Sequence, residues 1–289
     1  MSTTEVREAR RARISIGTRV RWTIADGLVV AWRNLMQFAR VPVLVVFTLF
    51  QPIMFVLLFR YVFGGAITNL GPFQYVNYLL PGIFVQTAIF GSTQTGIGLA
   101  EDLKSGLIDR FRSLPMARSA VLAGRTTSDL VRNLVVVTLM IAIGYGVGFS
   151  FQNGLLAAVA AVLLVLAVGF SFSWVSATIG LAIKDVESVQ AASFTWIFPL
   201  TFVSSVFVSP TSMPAVLQAI ARNNPITIWA NAVRTLTLGD DYLRFLAHPL
   251  QGSPVIETLP GLLLKSFAWI VVILAIFVPL STRLYRKLT

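Results

Sequence analysis

Long runs of apolar residues, separated by short polar or basic segments, are the dominant pattern in this sequence. Six of these runs approach the ~20 residues that an α-helix needs to cross the hydrocarbon core of a bilayer. They lie at Pro42–Phe63, Tyr78–Leu99, Asp129–Phe149, Gly154–Ile183, Ala191–Val208 and Ser266–Tyr285. The pattern therefore predicts an all-α membrane protein with six transmembrane helices.

Basic residues are distributed unevenly between the segments that connect these runs. Of the 23 lysines and arginines, only Arg60, Arg222, Arg234, Arg244 and Lys265 lie on the side opposite the N-terminus. Because positive residues are enriched in cytoplasmic loops, both termini are predicted to be cytoplasmic, in a bacterial plasma (inner) membrane. Arg234 is expected at the outer interface, with its stem in apolar surroundings and its guanidinium in water.

Composition narrows the classes of function. The chain is 56% hydrophobic and 12% charged, which excludes an ordinary soluble globule. Its net charge of +11 flanks the apolar runs, so anionic lipid rather than nucleic acid is the expected partner. The chain contains no cysteine, one histidine (His248) and no Gly-Lys dipeptide, so we expect no metal site, no catalytic residues and no nucleotide-phosphate loop.

The segment before the first apolar run divides into two parts. Residues 1–18 are polar and basic and predict a flexible cytoplasmic tail. Residues 19–41 carry polar positions at helical spacing, with Trp32 and Leu35 on the opposite face. This pattern predicts an amphipathic helix at the inner membrane interface, followed by a six-span domain over residues 42–289.

Residues 101–125 form the main predicted cytoplasmic loop. Leu103, Leu107, Phe111 and Leu114 recur at helical spacing and make one apolar stripe. Gly106 weakens this helix and Pro115 ends it. A short charged helix of this kind either docks into a groove on a partner protein or lies on the bilayer, and the pattern alone favours neither.

Residues 209–265 form the long external segment. Pro214–Arg222 and Pro225–Leu238 are predicted helices that are too short to cross a bilayer. Both carry apolar faces and are expected to be re-entrant, tucked between the outer ends of the spans as a cap. The rest of the segment is turn-rich, and Asp240 and Asp241 are expected to form a helix exit and a turn.

Neutral polar residues occur inside three of the runs: Gln51 in the first, Gln86, Thr87, Ser92, Thr93, Gln94 and Thr95 in the second, and Ser204 and Ser205 in the fifth. Gln86, Thr87, Thr93, Gln94, Ser204 and Ser205 are the candidates for a translocation path. They either bond neighbouring helices or line a polar seam along a translocation path. Gly144 and Gly148 are spaced for a close helix contact in the third run. No acidic residue is expected at mid-membrane, which argues against an ion-coupled secondary carrier.

Two stretches resemble the type-2 ATP-binding-cassette (ABC) exporter permeases, particularly the daunorubicin-resistance-like drug and lipid exporters. The first runs from Glu101 through Asp102, Gly106, Asp109, Arg110 and Leu114-Pro115, and is similar to the family's acidic–Gly–basic–Leu-Pro signature. The second runs from Phe198-Pro199 through Ser204, Ser209-Pro210, Met213-Pro214 and Asn224-Pro225 to Arg234. Ser205-Val206-Phe207 departs from the family's small residue there, so a bulkier external gate is expected.

This resemblance implies the transmembrane permease subunit of an ATP-driven exporter, without enzymatic activity of its own. The residues that it implies for ATPase coupling are Glu101, Asp102, Leu103, Gly106, Leu107, Arg110, Phe111, Leu114 and Pro115. Those implied for the external gate are Pro210, Pro214, Ile220, Asn224, Pro225 and Leu236. Two permease subunits, identical or not, would assemble with two copies of a separate ATPase that binds ATP and Mg.

The implied cargo is a hydrophobic or amphipathic molecule such as a drug, antibiotic or lipid. A polysaccharide or teichoic-acid exporter is the nearest alternative within the same family. A secondary carrier is the alternative from another class. This sequence lacks the buried ionisable residues that such carriers usually need.

Overall fold

The computed structural model describes Met36, Arg40 and residues 42–63, 74–106, 118–246 and 257–288. This part of the chain forms nine α-helices and no strand, which confirms the all-α prediction. The helices are α1 (Pro42–Leu57, continued by a π-helical turn, Leu58–Phe63), α2 (Tyr75–Lys104), α3 (Arg118–Gly146), α4 (Gly154–Ile183), α5 (Val186–Phe202), α6 (Ala215–Asn223), α7 (Pro225–Leu238), α8 (Asp240–Leu246) and α9 (Leu259–Leu288). The predicted tail and, apart from Met36 and Arg40, the predicted amphipathic helix lie outside the described residues.

Helices α2 and α4 form the centre of the structure and make its most extensive helix contact. α3, α5 and α7 pack against both of them, α1 packs against α2 and α3, and α9 packs against α4 and α7. Almost every side chain between Tyr75 and Ile89 of α2 is buried. The core is therefore arranged around one long central helix.

The crossing of α2 and α4 depends on small residues. A Cβ atom added at Gly180 would lie 2.3 Å from the backbone oxygen of Gly96, so the two backbones touch at this point. The N–H of Gly96 also donates to Ser176 Oγ, at 3.1 Å. The predicted contact through Gly144 and Gly148 is wrong for Gly148, which follows the end of α3 in a turn with φ +93.

The outer surface of the bundle is strongly apolar. Leu155 and Leu156 of α4 are 82% and 86% exposed, and Leu264 of α9 is 73% exposed. Within the part of the chain that the structure describes, three helical segments are long and apolar enough to cross a membrane: Gly124–Gly146, Gly154–Ile183 and Leu259–Lys287. Apolar side chains on this scale are stable against lipid and not against water, so the chain is a multi-pass membrane protein.

Several helix boundaries differ from the predicted ones. Glu101–Lys104 forms the last turn of α2, which ends at Gly106 with φ +67, instead of opening a separate loop helix. α5 begins at Val186 because Asp185 caps its N-terminus by accepting a hydrogen bond from the N–H of Ser188, at 3.0 Å. The same bond holds the pKa of Asp185 below its ordinary value, since it favours the ionised carboxyl.

Helix α8 is absent from the sequence prediction, which placed a turn at Asp240 and Asp241. Both carboxylates lie in the first turn of α8, where they interact favourably with the helix dipole. Tyr242 and Phe245 are buried against the bundle. The expectation of a turn was wrong because a seven-residue helix has too few periods to be seen as a pattern and depends on tertiary burial.

Candidate functional site

A cavity of about 250 Å³ lies between α1, α2, α3 and α5. Four of the six polar residues predicted along a translocation path line it from α2: Gln86, Thr87, Thr93 and Gln94. Gln51 and Phe55 of α1, Phe90 of α2, Arg132 of α3 and Phe194 of α5 also line it. The cavity thus combines amide and hydroxyl groups with aromatic rings and one cation.

Two of the lining residues are buried without a hydrogen-bond partner among the described residues. The side chain of Gln86 is 3% exposed, and neither its Oε1 nor its Nε2 is bonded. Thr87 Oγ1 is also unbonded, whereas the hydroxyl of Thr93 donates to the carbonyl of Phe90 at 2.7 Å. Gln86 and Thr87 therefore do not serve the interhelical bonding that was one of the two predicted roles.

The cation of the cavity is neutralised by its neighbours. Arg132 pairs with Asp129 at 2.8 Å and donates to the carbonyl of Gly91 at 2.7 Å. Thr95 donates its hydroxyl to the other oxygen of Asp129. Asp129, the first residue of the third predicted run, is buried inside α3, one turn before its partner Arg132.

A second ion pair joins α2 and α3 closer to the cytoplasmic loop. Arg125 lies 3.4 Å from Asp102 and donates to the carbonyl of Gln94, also at 3.4 Å. A Cβ at Gly98 would collide with the Arg125 guanidinium, so this contact requires glycine there. The polar links therefore fasten the C-terminal half of α2 to the N-terminal half of α3.

The structure describes only part of the predicted coupling segment. Glu101, Asp102 and Leu103 lie in the last turn of α2, and Gly106 follows that turn. Leu107, Arg110, Phe111, Leu114 and Pro115 lie outside the described residues. The apolar stripe that they were predicted to form stays a prediction.

Ser204 and Ser205, the other two predicted path residues, lie away from the cavity in a buried cluster around Arg234. Arg234 Nε donates to the carbonyl of Tyr78 at 2.7 Å, Nη1 to Ser205 Oγ at 3.0 Å, and Nη2 to the carbonyls of Ser205 and Val206 at 2.6 and 3.0 Å. Nη1 also donates to Asn231 Oδ1, at 3.2 Å. We call Arg234, Tyr78, Ser205, Val206 and Asn231 the arginine cluster.

The predicted position of Arg234 at a wet interface is wrong, because the residue is 0% exposed. Its guanidinium lies 3.7 Å from the centre of the Tyr78 ring, and the described residues provide it with no carboxylate. Two of the three carbonyls that it binds, those of Ser205 and Val206, follow the C-terminus of α5, where the helix dipole favours a cation. Arg234 therefore joins α2, the end of α5 and α7 through backbone acceptors.

The predicted gate residues divide into a buried and an exposed group. Asn224 donates to the carbonyls of Leu200 and Val203, each at 2.7 Å, and caps α7, whose first residue is Pro225. Pro210 opens a short 3-10 turn and Pro214 precedes α6. Leu236 of α7 is 5% exposed, but Ile220 of α6 is 52% exposed, so only α7 is tucked into this chain.

Phenylalanine rings connect the cavity with the π-helical turn that ends at Phe63, a feature that sequence reasoning missed. Ring centroids along Phe90, Phe198, Phe202, Phe207, Phe59 and Phe63 are 5.2, 6.0, 5.2, 4.5 and 5.2 Å apart in turn. Phe198 and Phe202 are 38% and 46% exposed. We call these six residues the phenylalanine chain; it runs from α2 through two residues of α5 and Phe207 to the π-helical turn after α1.

Comparison with known proteins agrees with this arrangement. Residues 27–238 match the family model of the ABC-2 type transporter. The chain is 35% identical over 288 residues to the daunorubicin resistance ABC transporter permease protein DrrB1 of Streptomyces coeruleorubidus, covering 99% of this chain and 95% of the relative.

More distant relatives have similar names. A probable doxorubicin resistance ABC transporter permease protein, DrrC, of Mycobacterium tuberculosis is 26% identical over 76% of this chain and 79% of its own length. The inner membrane transport permease YadH of Escherichia coli is 24% identical over 66% of this chain and 76% of its own length. The chain therefore belongs to the ABC-2 type transporter family and is the transmembrane permease of an ABC exporter.

Proposed function

We propose that the permease moves hydrophobic or amphipathic compounds out across the bacterial plasma membrane through six spans, with both termini in the cytoplasm. The spans would be α1 to α5 and α9, and α6 and α7 would be the external helices. The apolar windows of α3, α4 and α9 and the segregation of basic residues support this topology. The names of the drug-resistance relatives support a drug-like cargo.

The cavity and the phenylalanine chain together form the proposed cargo path. Gln86, Thr87, Thr93 and Gln94 would contact cargo in the cavity, and the rings of α5 would give it an apolar surface toward the outer side. The observation that carries this proposal is the unbroken series of ring contacts from Phe90 at the cavity to Phe63. Ser204 and Ser205 would support the outer closure, since their hydroxyls bond within the protein.

The cytoplasmic ends of α2 and α3 would receive the motion of two ATPase copies that bind ATP and Mg. The segment from Glu101 to Pro115, with Phe111 as its anchor, would dock into the ATPase as a coupling helix. The Asp102–Arg125 pair supports this role, because it fastens the end of α2, where that segment begins, to α3, whose Arg132 lines the cavity. A second permease subunit would complete the pathway.

The external segment would close the exit between ATP cycles. Asn224 and Arg234 attach α7 to the end of α5 and to α2, which supports a fixed cap. The exposed apolar face of α6, with Val216 at 73% and Ile220 at 52%, would pack against lipid or the second subunit. The cap would stop cargo and water from leaking back.

The test is ATP-dependent transport by the permease co-expressed with its ATPase. We expect inside-out vesicles to accumulate daunorubicin when ATP is supplied. The control carries an ATPase whose phosphate-loop lysine is replaced, and it should show no accumulation. Accumulation of a polysaccharide precursor in place of daunorubicin would contradict the proposal and identify the family's other class of cargo.

A further inference from the structure

The cavity contains buried polar atoms that the fold itself does not use. Gln86 Oε1, Gln86 Nε2 and Thr87 Oγ1 all lack a hydrogen-bond partner in the described part of the chain. Gln86 is 3% exposed and Thr87 is 6% exposed. Buried polar groups are nearly always hydrogen-bonded, so three unbonded atoms on neighbouring residues at one cavity point to a ligand that bonds them.

The charge of the cavity wall selects against a charged ligand group. Among the described residues of the lining, Arg132 alone is ionisable, and it is paired with Asp129 at 2.8 Å. The remaining oxygen of Asp129 accepts from Thr95. A charged ligand group would lose its hydration here without gaining a free counter-ion, whereas a neutral hydroxyl or carbonyl would not.

The rest of the wall is suited to a flat ring. Phe55, Phe90 and Phe194 line the cavity, and the rings of Phe90 and Phe194 lie 6.0 Å apart with an interplanar angle of 34°. Aromatic walls favour offset stacking or edge contacts with another ring. The volume of about 250 Å³ fits a few fused rings and not a chain of sugars.

We propose that this cavity binds the neutral, hydrogen-bonding aromatic part of the cargo, and that the Gln86 amide determines specificity. A ligand hydroxyl would donate to Oε1 while a ligand carbonyl accepts from Nε2. This inference rests on the proposed export function, of which it names the recognition step. Ionised parts of the same cargo would stay outside the cavity.

The experiment is equilibrium binding to the full chain in lipid nanodiscs without ATP, with empty nanodiscs subtracted. The probes are quinizarin (a neutral dihydroxyanthraquinone), anthracene and an anthraquinone sulfonate. Wild type should bind quinizarin most tightly. Gln86→Met keeps the side-chain length and should weaken quinizarin binding about tenfold, as expected for loss of a buried hydrogen bond, while leaving anthracene binding unchanged. Gln152→Met, at an exposed glutamine outside the cavity, is the matched control and should change neither.

A second variant guards against a folding artefact. Thr87→Val is isosteric and should weaken quinizarin binding in the same direction, with unchanged anthracene binding reporting an intact cavity. Equal quinizarin affinity in wild type and Gln86→Met, or sulfonate binding as tight as that of quinizarin, would overturn the inference. If export persists although quinizarin binding does not depend on Gln86, this inference fails and the proposed function stands. If quinizarin binding depends on Gln86 but no export is observed, only the proposed function fails.

Discussion

Replacing Arg234 by methionine should open the outer end of the bundle locally. The change removes the donor for the Val206 carbonyl and the guanidinium that lies 3.7 Å from the centre of the Tyr78 ring. The Ser205 carbonyl still accepts a hydrogen bond from the hydroxyl of Tyr78, and Asn231 Oδ1 still accepts one from the hydroxyl of Tyr242. Among the carbonyls, only that of Val206 then lacks a described donor, because the Tyr78 carbonyl lies inside α2 and also accepts from the helix backbone, so the substitution does not empty the whole cluster.

The expected magnitude follows from these two losses. An unbonded buried carbonyl costs ~1–3 kcal/mol. A desolvated cation over an aromatic ring contributes roughly 2 kcal/mol. The smaller desolvation cost of methionine offsets part of the sum, so we expect a net loss of about 3 kcal/mol, or roughly a hundredfold increase in local opening.

Hydrogen exchange measured by mass spectrometry tests this prediction. Amides of residues 203–207 and of α7 should exchange roughly a hundredfold faster in Arg234→Met, while those around the α2–α4 crossing stay protected. Gly82→Ala should act in the same direction without removing the charge, because its Cβ would lie 2.7 Å from the Val206 carbonyl oxygen. Arg244→Met removes an arginine with an 82% exposed side chain and is the matched control. Unchanged exchange in both Arg234→Met and Gly82→Ala would refute the reasoning.

Three further predictions concern other parts of the chain. Cysteines introduced at Ser2 and Ser253 of this cysteine-free protein should label from opposite sides of intact cells, and equal labelling by an impermeant reagent would contradict the topology. Phe111→Ala should weaken ATPase pulldown or uncouple hydrolysis from export, since loss of a buried aromatic anchor commonly costs ~2 kcal/mol. If pulldown and cargo-stimulated hydrolysis both stay at wild-type levels, the segment from Glu101 to Pro115 lies on the bilayer instead. Gly180→Ala should lower the thermal midpoint, because overpacking costs ~1–3 kcal/mol, whereas Gly146→Ala, where no atom lies within 4 Å of the added Cβ, should not.

The sequence was most informative where one strong local signal decided the structure. Gly154–Ile183 is a helix over the predicted span, because a continuous apolar run begins after Asn153 and ends before two charged residues. Pro225–Leu238 also matches, since Asn224 caps it, proline occupies its first position and Gly239 follows it. The ends of such helices are determined by residues at or next to the ends themselves.

Features that depend on distant parts of the chain could not be predicted in the same way. Arg234 and Tyr78 are 156 residues apart, and most of the arginine's acceptors are backbone carbonyls, which every residue has. The crossing of Gly96 and Gly180 uses single glycines on two helices, without a repeated motif on either. Gln86 was recognised as a candidate, but its unbonded amide follows only from how α1, α3 and α5 surround it.

The backbone contact between Gly96 and Gly180 gives α2 a fixed point about which it can tilt. No side chain separates the two helices there, so α2 can tilt about this point more easily than it can slide past α4. At 1.5 Å per residue along α2, Asp102 lies about 9 Å from Gly96 on one side, and Gln86 lies about 15 Å from it on the other. If α2 tilts about this point, a displacement of about 1 Å at Asp102 would become roughly 1.7 Å at Gln86, in the opposite direction.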